Sequence, residues 1–204
     1  MPRISDARRL ERQTQIVDAA RGLFMRNGFH ATTMDDIITA AGMSAGGVYR
    51  YFAGKEAIIS AIAEQVAGTL TEGVRHSLQQ DPAPSLTESL GRLLHAVDGL
   101  AGTYGRLALQ VWGEAQRDDD IAKIAASEMT HLRAAIVELV VRARASGELT
   151  VDADPTALGH VVFSLIPGYL VQRRILGEVD RDAYIAAMTA LLTGPASPDP
   201  TGAA

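Results

Sequence analysis

Residues 29–55 read FHATTMDDIITAAGMSAGGVYRYFAGK. Thr33 and Asp36 stand at capping-box spacing, with Asp in place of the usual Glu or Gln, ahead of a short run whose apolar face is Met34, Ile37, Ile38 and Ala41. Gly42 ends that run, and Ser44 is placed to cap a second helix reaching to about Phe52, with Val48 and Phe52 on its inner edge. Two short helices joined by a Gly-containing turn, Ala41-Gly42-Met43-Ser44, follow the helix-turn-helix plan. Small residues at the turn let the helices cross steeply. Ile37, Ile38, Val48 and Phe52 give the pair a common inner face, so that the outer face of the second helix is free for the major groove of DNA. Tyr49, Tyr51 and Lys55 gather donors suited to phosphate at the end of the motif. Lys55 also opens the next helix, whose free amides and positive dipole end suit an anion. The same pattern describes a plain helical hairpin, and spacing alone does not separate the two.

Outward from this motif the helical period recurs and no stretch sustains a strand's alternation. Residues 10–27 place Ile16, Ala20, Leu23 and Phe24 on one stripe, stopped by Asn27-Gly28. After Gly54 a long helix runs from Lys55 to about Gln79, with Ile58, Ile62 and Val66 along its inner side. Asp81-Pro-Ala-Pro-Ser85 is a loop. Further helices are predicted near 85–101, 105–117, 119–146, 154–177 and 180–193, with Pro167 kinking the fourth of these. The fold class is all-α, about nine helices. A helix-turn-helix domain is predicted over 1–55 (motif about 33–52), a connecting helix over 56–79, a ligand-binding and dimerisation domain over 80–193, and a disordered tail over 194–204.

Composition narrows the classes. The net charge is −5, yet residues 1–55 carry eight basic against five acidic side chains and the remainder 11 against 19. A basic end on an acidic body suits a polyanion at that end. The arm Arg3, Arg8, Arg9 and Arg12 is placed for phosphate or minor-groove contacts, or is simply a frayed terminus. There is no Cys, hence no disulfide and no thiolate metal site. The most apolar stretch, 157–171, is shorter than the ~20 residues of a bilayer span and is interrupted by His160 and Pro167. No signal-peptide pattern leads the chain, so a cytoplasmic location is expected.

Residues 10–58 resemble the DNA-binding domain of the tetracycline-repressor (TetR) family. The matching run is Ile16-Val-Asp-Ala-Ala20, Leu23-Phe24, Gly28-Phe29, Thr32-Thr33, Ile37-Ile38, Ala40-Ala-Gly-Met-Ser44, Val48-Tyr-Arg-Tyr-Phe52 and Lys55-Glu56. The resemblance implies a homodimer that binds double-stranded operator DNA, usually as a repressor, and is released by a small-molecule effector. It implies phosphate contacts at Thr33, Tyr49, Tyr51 and Lys55, and a base-facing surface at Ala45, Gly46, Gly47 and Arg50 behind the cap Ser44. Gly47 departs from the Thr, Ser or Ala usual there. Two adjacent glycines cost roughly 1 kcal/mol each relative to Ala in a helix. They shift readout toward Arg50, close backbone approach and DNA shape.

In the body, Leu158, Val161, Val162, Leu165, Ile166, Tyr169 and Leu170 cannot share one stripe, so their helix is buried on several sides. A dimer interface is predicted from Leu158, Val161, Val162, Leu165 and Tyr169 with Tyr184, Met188, Leu191 and Leu192; a monomer core helix is the alternative. Effector-pocket candidates are His95, Tyr104, Gln110, Trp112, Glu114, Met129, His131, Phe163 and Tyr169. Trp112 with Glu114 would suit a cation, although a Trp is more often a core residue and a Glu more often a surface one. The histidines are scattered, with no metal-ligand spacing. Asp118-Asp119-Asp120 is a helix start rather than a calcium loop. No cofactor motif appears and no enzyme activity is predicted. The competing readings are a DNA-binding or architectural protein without effector and a small helical enzyme.

Overall fold

The computed structural model describes residues 6–100, 105–149, 151, 153–177 and 179–193. Among them the chain forms helices α1 (Asp6–Asn27), α2 (Met34–Ala41), α3 (Ala45–Tyr49), α4 (Lys55–Gln79), α5 (Leu86–Leu100), α6 (Arg106–Glu114), α7 (Asp119–Ala145), α8 (Pro155–Ile175) and α9 (Arg181–Thr193), with no strand. The predicted all-α class holds. Tyr104, Arg3 and the tail 194–204 lie outside the described residues.

Two compact units divide the chain: residues 1–68 with 102–129, and residues 69–101 with 130–204. The first is built on the 3.6-residue period of α1. Ile16, Ala20 and Phe24 recur every fourth residue and are fully buried, and Ile37, Val48, Ile58, Ile59, Ile62, Leu107 and Ile121 complete their core. α6 and the first turns of α7 therefore belong to the same unit as the helix-turn-helix. The linear domain division predicted from sequence had no signal for this. α1 begins at Asp6, four residues before the predicted start, so Arg8, Arg9 and Arg12 ride on a helix rather than a free arm.

Each turn in this unit has a residue that makes it. Gly28 takes φ +82° and its N–H bonds the Phe24 carbonyl at 2.9 Å, ending α1. Thr33 caps α2 in a full capping box: its hydroxyl oxygen accepts from the Asp36 N–H, while the Asp36 carboxylate accepts from the Thr33 N–H at 2.9 Å. Gly42 takes φ +62°, a left-handed conformation that costs a residue with a Cβ, and closes α2.

The second unit packs Leu70, Val74, Leu86, Leu90, Leu93, Leu94, Val97, Ile136, Leu139, Val140, Val162, Ile166 and Tyr169 into one core. Ser85 and Glu88 form a second capping box at α5. Asp154 caps α8, accepting from the Ala157 N–H at 2.7 Å with Pro155 in the first turn, and α8 continues through Pro167 as one helix. Arg142 staples the α4–α5 loop by donating to the carbonyls of Ser77 and Pro84 at 3.1 and 2.6 Å. A Cβ on Gly159 would lie 2.6 Å from Val137 Cγ2 and 2.8 Å from its Cα, so the backbones of α7 and α8 meet there because α8 has no side chain at that point.

Candidate nucleic-acid interface

The second motif helix is short. α3 spans Ala45–Tyr49, and the chain continues through Arg50 (φ −63°, ψ −30°) as a loose turn in which Phe52 N–H still reaches the Val48 carbonyl at 3.1 Å. The predicted end near Phe52 counts this turn. Ser44 caps α3, its hydroxyl accepting from Gly47 N–H at 3.2 Å. Val48 and Phe52 are buried, whereas Ser44, Ala45, Gly46, Tyr49 (50% exposed) and Arg50 face out. Gly47 and Tyr51 are half-buried, with Tyr51 packed against the core of its unit. The outer face predicted for base contact is thus exposed apart from Gly47, and the Arg50 guanidinium forms no hydrogen bond or ion pair among the described residues.

The scaffold behind this face is held by polar staples. Gln15 on α1 donates to the Ala41 carbonyl at 2.8 Å, satisfying the end of α2 beside the turn, and is itself fixed by Arg12 at 2.7 Å. Lys55 turns inward. Its ammonium donates to the carbonyls of Phe29 and Thr32 at 2.9 and 3.1 Å and lies 4.2 Å over the Phe29 ring. Two of its three protons are therefore used to fasten the α1–α2 loop to the start of α4, a role that motif matching did not suggest. Thr33 is similarly occupied, since its hydroxyl donates to Asp36 Oδ2 at 2.7 Å. These bonds hold the exposed Asp36 carboxyl below its ordinary value of 3.8, the Thr33 side chain contributing most. Of the four residues matched to phosphate contacts, Thr33 and Tyr49 are exposed, while Tyr51 and Lys55 are half-buried.

The body residues scatter. On α6 and the start of α7, Gln110, Trp112, Glu114 and Met129 are half-buried. Glu114 contacts His30 of the α1–α2 loop at 2.5 Å, within the same unit, and the Gln110 carbonyl oxygen is buried with no hydrogen-bond partner among the described residues. In the other unit His95 and His131 are exposed and Phe163 is partly buried against the core. Tyr169 is fully buried at a polar hub: its hydroxyl donates to Asp98 at 2.8 Å, and Asp98 also takes Arg173 at 3.0 Å and Arg181 at 3.5 Å. Burial, then the bond to Asp98, push the Tyr169 phenol up to about 12.

The predicted dimer set divides in two. Val162, Tyr169, Met188 and Leu192 are buried inside their own unit, because they complete its core; Leu158, Leu165 and Tyr184 are partly buried against it, and the Tyr184 hydroxyl donates to the Leu165 carbonyl at 2.8 Å. Val161 (57% exposed) and Leu191 (74%) remain open. Sequence reasoning missed Val171, Ile175 and Leu176, which are exposed as well. Val161, Ser164, Gly168, Val171 and Ile175 recur at helical three- and four-residue steps along α8, a signal readable from spacing alone.

A capped short helix with an open outer face, braced by α1 and α4, defines a helix-turn-helix DNA-binding protein. The comparisons with known proteins carry this further. Residues 16–62 match the model of the bacterial regulatory proteins of the tetR family, and residues 104–194 match that of the BetI-type transcriptional repressor C-terminal region. The chain belongs to the TetR family of transcriptional regulators. It is 25% identical over 183 residues to the HTH-type transcriptional regulator UidR of Escherichia coli (strain K12), covering 89% of this chain and 91% of UidR. It is 30% identical over 123 residues to the HTH-type transcriptional regulator YfiR of Bacillus subtilis (strain 168), a match that spans 58% of each chain. In fold it is similar to Salmonella enterica GusR, with a TM-score of 0.79 at 24% identity over 94% of this chain and 99% of GusR. A second fold match is FadR from Bacillus subtilis in complex with stearoyl-CoA, with a TM-score of 0.74 at 21% identity over 90% of this chain and 99% of FadR. Among the described residues, no helix is long and apolar enough to cross a membrane.

Proposed function

We propose that two copies of this chain form a dimer that represses transcription by binding operator DNA and lets go when a small-molecule effector enters the C-terminal body. The observation that carries the reading is the exposed α3 face, Ala45, Gly46, Tyr49 and Arg50, held on a braced scaffold. A single short helix reads few base pairs. A second copy supplies the other half-site, one helical turn (about 34–36 Å) away along the duplex. Support for the second copy comes from the apolar faces of α8 and α9, where Val161, Ile175 (73% exposed) and Leu191 leave oily surface that a twin would cover.

Support for an effector comes from two directions. FadR, a fold relative, is seen with stearoyl-CoA. In this chain the buried Gln110 oxygen lacks a partner among the described residues, and such a group is costly unless something satisfies it. The ligand acts by binding one body conformation better than the other, and shifts the equilibrium only by that difference. The relatives are regulators, and the reading assigns no catalysis and a cytoplasmic place of action. The decisive experiment is a gel-shift with the DNA flanking the protein's own coding region, repeated with candidate metabolites, alongside the mass in solution by light scattering. A retarded band at dimer stoichiometry that a metabolite dissolves supports the proposal. A monomer without DNA affinity refutes it. DNA binding indifferent to every ligand favours an effector-independent or architectural DNA-binding protein.

A further inference from the structure

Glu114 closes α6, and its main chain and side chain are tied to different parts of the fold. Its carbonyl accepts from the N–H groups of Arg117 and Asp118 at 2.8 and 3.0 Å. Asp118 in turn caps α7, its carboxylate accepting from the Asp120 and Ile121 N–H groups at 2.9 and 3.2 Å. The end of α6 is thereby fixed to the start of α7, a helix that belongs to this unit as far as Met129 and to the other from Thr130 onward. The side chain goes to the α1–α2 loop, where Glu114 Oε2 lies 2.5 Å from His30 Nε2.

The burial of this carboxylate is what calls for a role. Its side chain is 19% exposed, whereas Gln116 and Arg117 just beyond it stand in solvent. Oε2 is buried, and no hydrogen bond from any other described residue reaches it. A buried carboxylate oxygen is costly unless paired, so the His30 ring is what keeps it in place. The ring is itself 68% exposed, and a contact so open to water adds little to stability. The loop that carries it is the one Lys55 fastens from α4 through the carbonyls of Phe29 and Thr32, and it leads directly into Thr33, the cap of α2. The loop therefore has two holders, one on α4 and one on α6. By family match Glu114 falls in the C-terminal region, 104–194, yet it packs in the unit of the helix-turn-helix.

We propose that Glu114 is a positioning residue for DNA binding: it carries a displacement of α7 to the α1–α2 loop through His30, by a route separate from the connecting helix α4. This role rests on the effector-responsive DNA-binding reading above and names how the body reaches the helix-turn-helix. Coupling between sites is reciprocal, so operator DNA acts on α6 as α6 acts on DNA binding. The route is therefore measurable with DNA alone.

The test uses the full chain and a duplex that the wild type selects from a random-sequence library. Wild type, Glu114→Ala, Glu114→Gln, His30→Ala and the double variant His30→Ala, Glu114→Ala are compared by affinity and by amide exchange with and without saturating duplex. In the wild type, DNA should slow exchange in α2 and α3 and also in α6, which carries none of the residues matched to DNA contact. Glu114→Ala and His30→Ala should keep the protection of α2 and α3, lose that of α6, and bind about fivefold more weakly, the low end of such couplings. The double variant should lose no more than either single one. Glu114→Gln, whose carbonyl oxygen still accepts from the ring, should regain the protection of α6 and most of the affinity. Glu114→Ala should melt close to the wild type. Protection of α6 that DNA leaves unchanged in the wild type, or that survives in both alanine variants, overturns the inference. Additive losses in the double variant overturn it, as does a Glu114→Gln chain that behaves like Glu114→Ala. A Glu114→Ala chain that melts well below the wild type marks a merely structural residue and overturns it too. A wild type that enriches no sequence at all overturns the DNA-binding reading itself, and the inference with it.

Discussion

Replacing Lys55 with Met removes the charge and keeps most of the aliphatic stem, so it isolates the ammonium. In the structure that ammonium holds the carbonyls of Phe29 and Thr32 at 2.9 and 3.1 Å and sits 4.2 Å over the Phe29 ring. A hydrogen bond to a charged group contributes roughly 1.5–3 kcal/mol net when well buried. Lys55 is only half-buried, so solvent reclaims part of each bond, and we take about 2 kcal/mol for the pair together with the ring contact. For a chain of this size that lowers the melting midpoint by about 4–8 °C, at fixed protein concentration. The loosened loop carries Thr33, the cap of α2, so affinity falls on every DNA sequence. The slope of log affinity against log salt stays as in the wild type, because no phosphate partner has been removed. Loss of a direct phosphate contact would instead flatten that slope by about 0.9. Thermal melts by circular dichroism and anisotropy titrations at four salt concentrations decide the matter. An unchanged midpoint with a flattened slope would refute the clamp and return Lys55 to the phosphate face.

Further outcomes follow from other contacts. Gly159→Ala puts a methyl 2.6–2.8 Å from Val137 Cγ2 and Cα, where backbone cannot yield cheaply, and should cost about 1–3 kcal/mol or more in guanidinium unfolding; no loss would mean that α7 and α8 stand further apart than described. Ile175→Asp combined with Leu191→Asp should shift the proposed dimer toward monomer in light scattering with helicity intact; a dimer of unchanged strength would place the interface elsewhere. Acid should act through the caps. The folded-state values of Asp36 and Glu88 lie below their ordinary 3.8 and 4.5, held down by Thr33 and by Ser85 respectively. Their stabilisation is therefore complete above those ordinary values and is lost as pH falls below them toward the depressed ones. The stability deficit of an Asp36→Asn, Glu88→Gln double variant should accordingly shrink toward the wild type as pH drops below about 4; a deficit independent of pH would show that ionisation of the two carboxylates plays no part.

The helix-turn-helix was legible because each of its steps is local. Thr33 with Asp36, Gly42 with its left-handed φ, and Ser44 ahead of Gly47 are decided within four residues of chain, and periodicity places Ile37 and Val48 inward. What stayed hidden depends on distant partners. Lys55 at a helix start looks like an anion donor, and its two carbonyl acceptors lie 23 and 26 residues away. α8 shows the same limit differently. A helix apolar on most faces does not say which face its own unit covers, so spacing groups Val162 and Tyr169 with Val161 although the first two are core. Asp98, half-buried on α5, drew no attention in the sequence, because a lone carboxylate reveals nothing of the Tyr169, Arg173 and Arg181 that converge on it.

A helix of five residues has too few internal hydrogen bonds to repay its nucleation, so α3 cannot stand by itself. It is held from behind. Val48 and Phe52 anchor it in the core, Ser44 caps it, Gln15 fixes the end of α2 beside it, and Lys55 fastens the loop that carries the Thr33 cap. Because the scaffold supplies the order, the outward residues need contribute nothing to stability. That freedom is what allows glycine at 46, a poor helix former, on the surface offered to DNA. The division of labour separates two kinds of damage. Changes at Gln15 or Lys55 should weaken recognition of all sequences by loosening the frame, whereas changes at Gly46 or Arg50 should alter which sequence is recognised while the frame survives. A chain in which both kinds of substitution shifted stability and sequence preference in parallel would mean that frame and reading face are not separate in this protein.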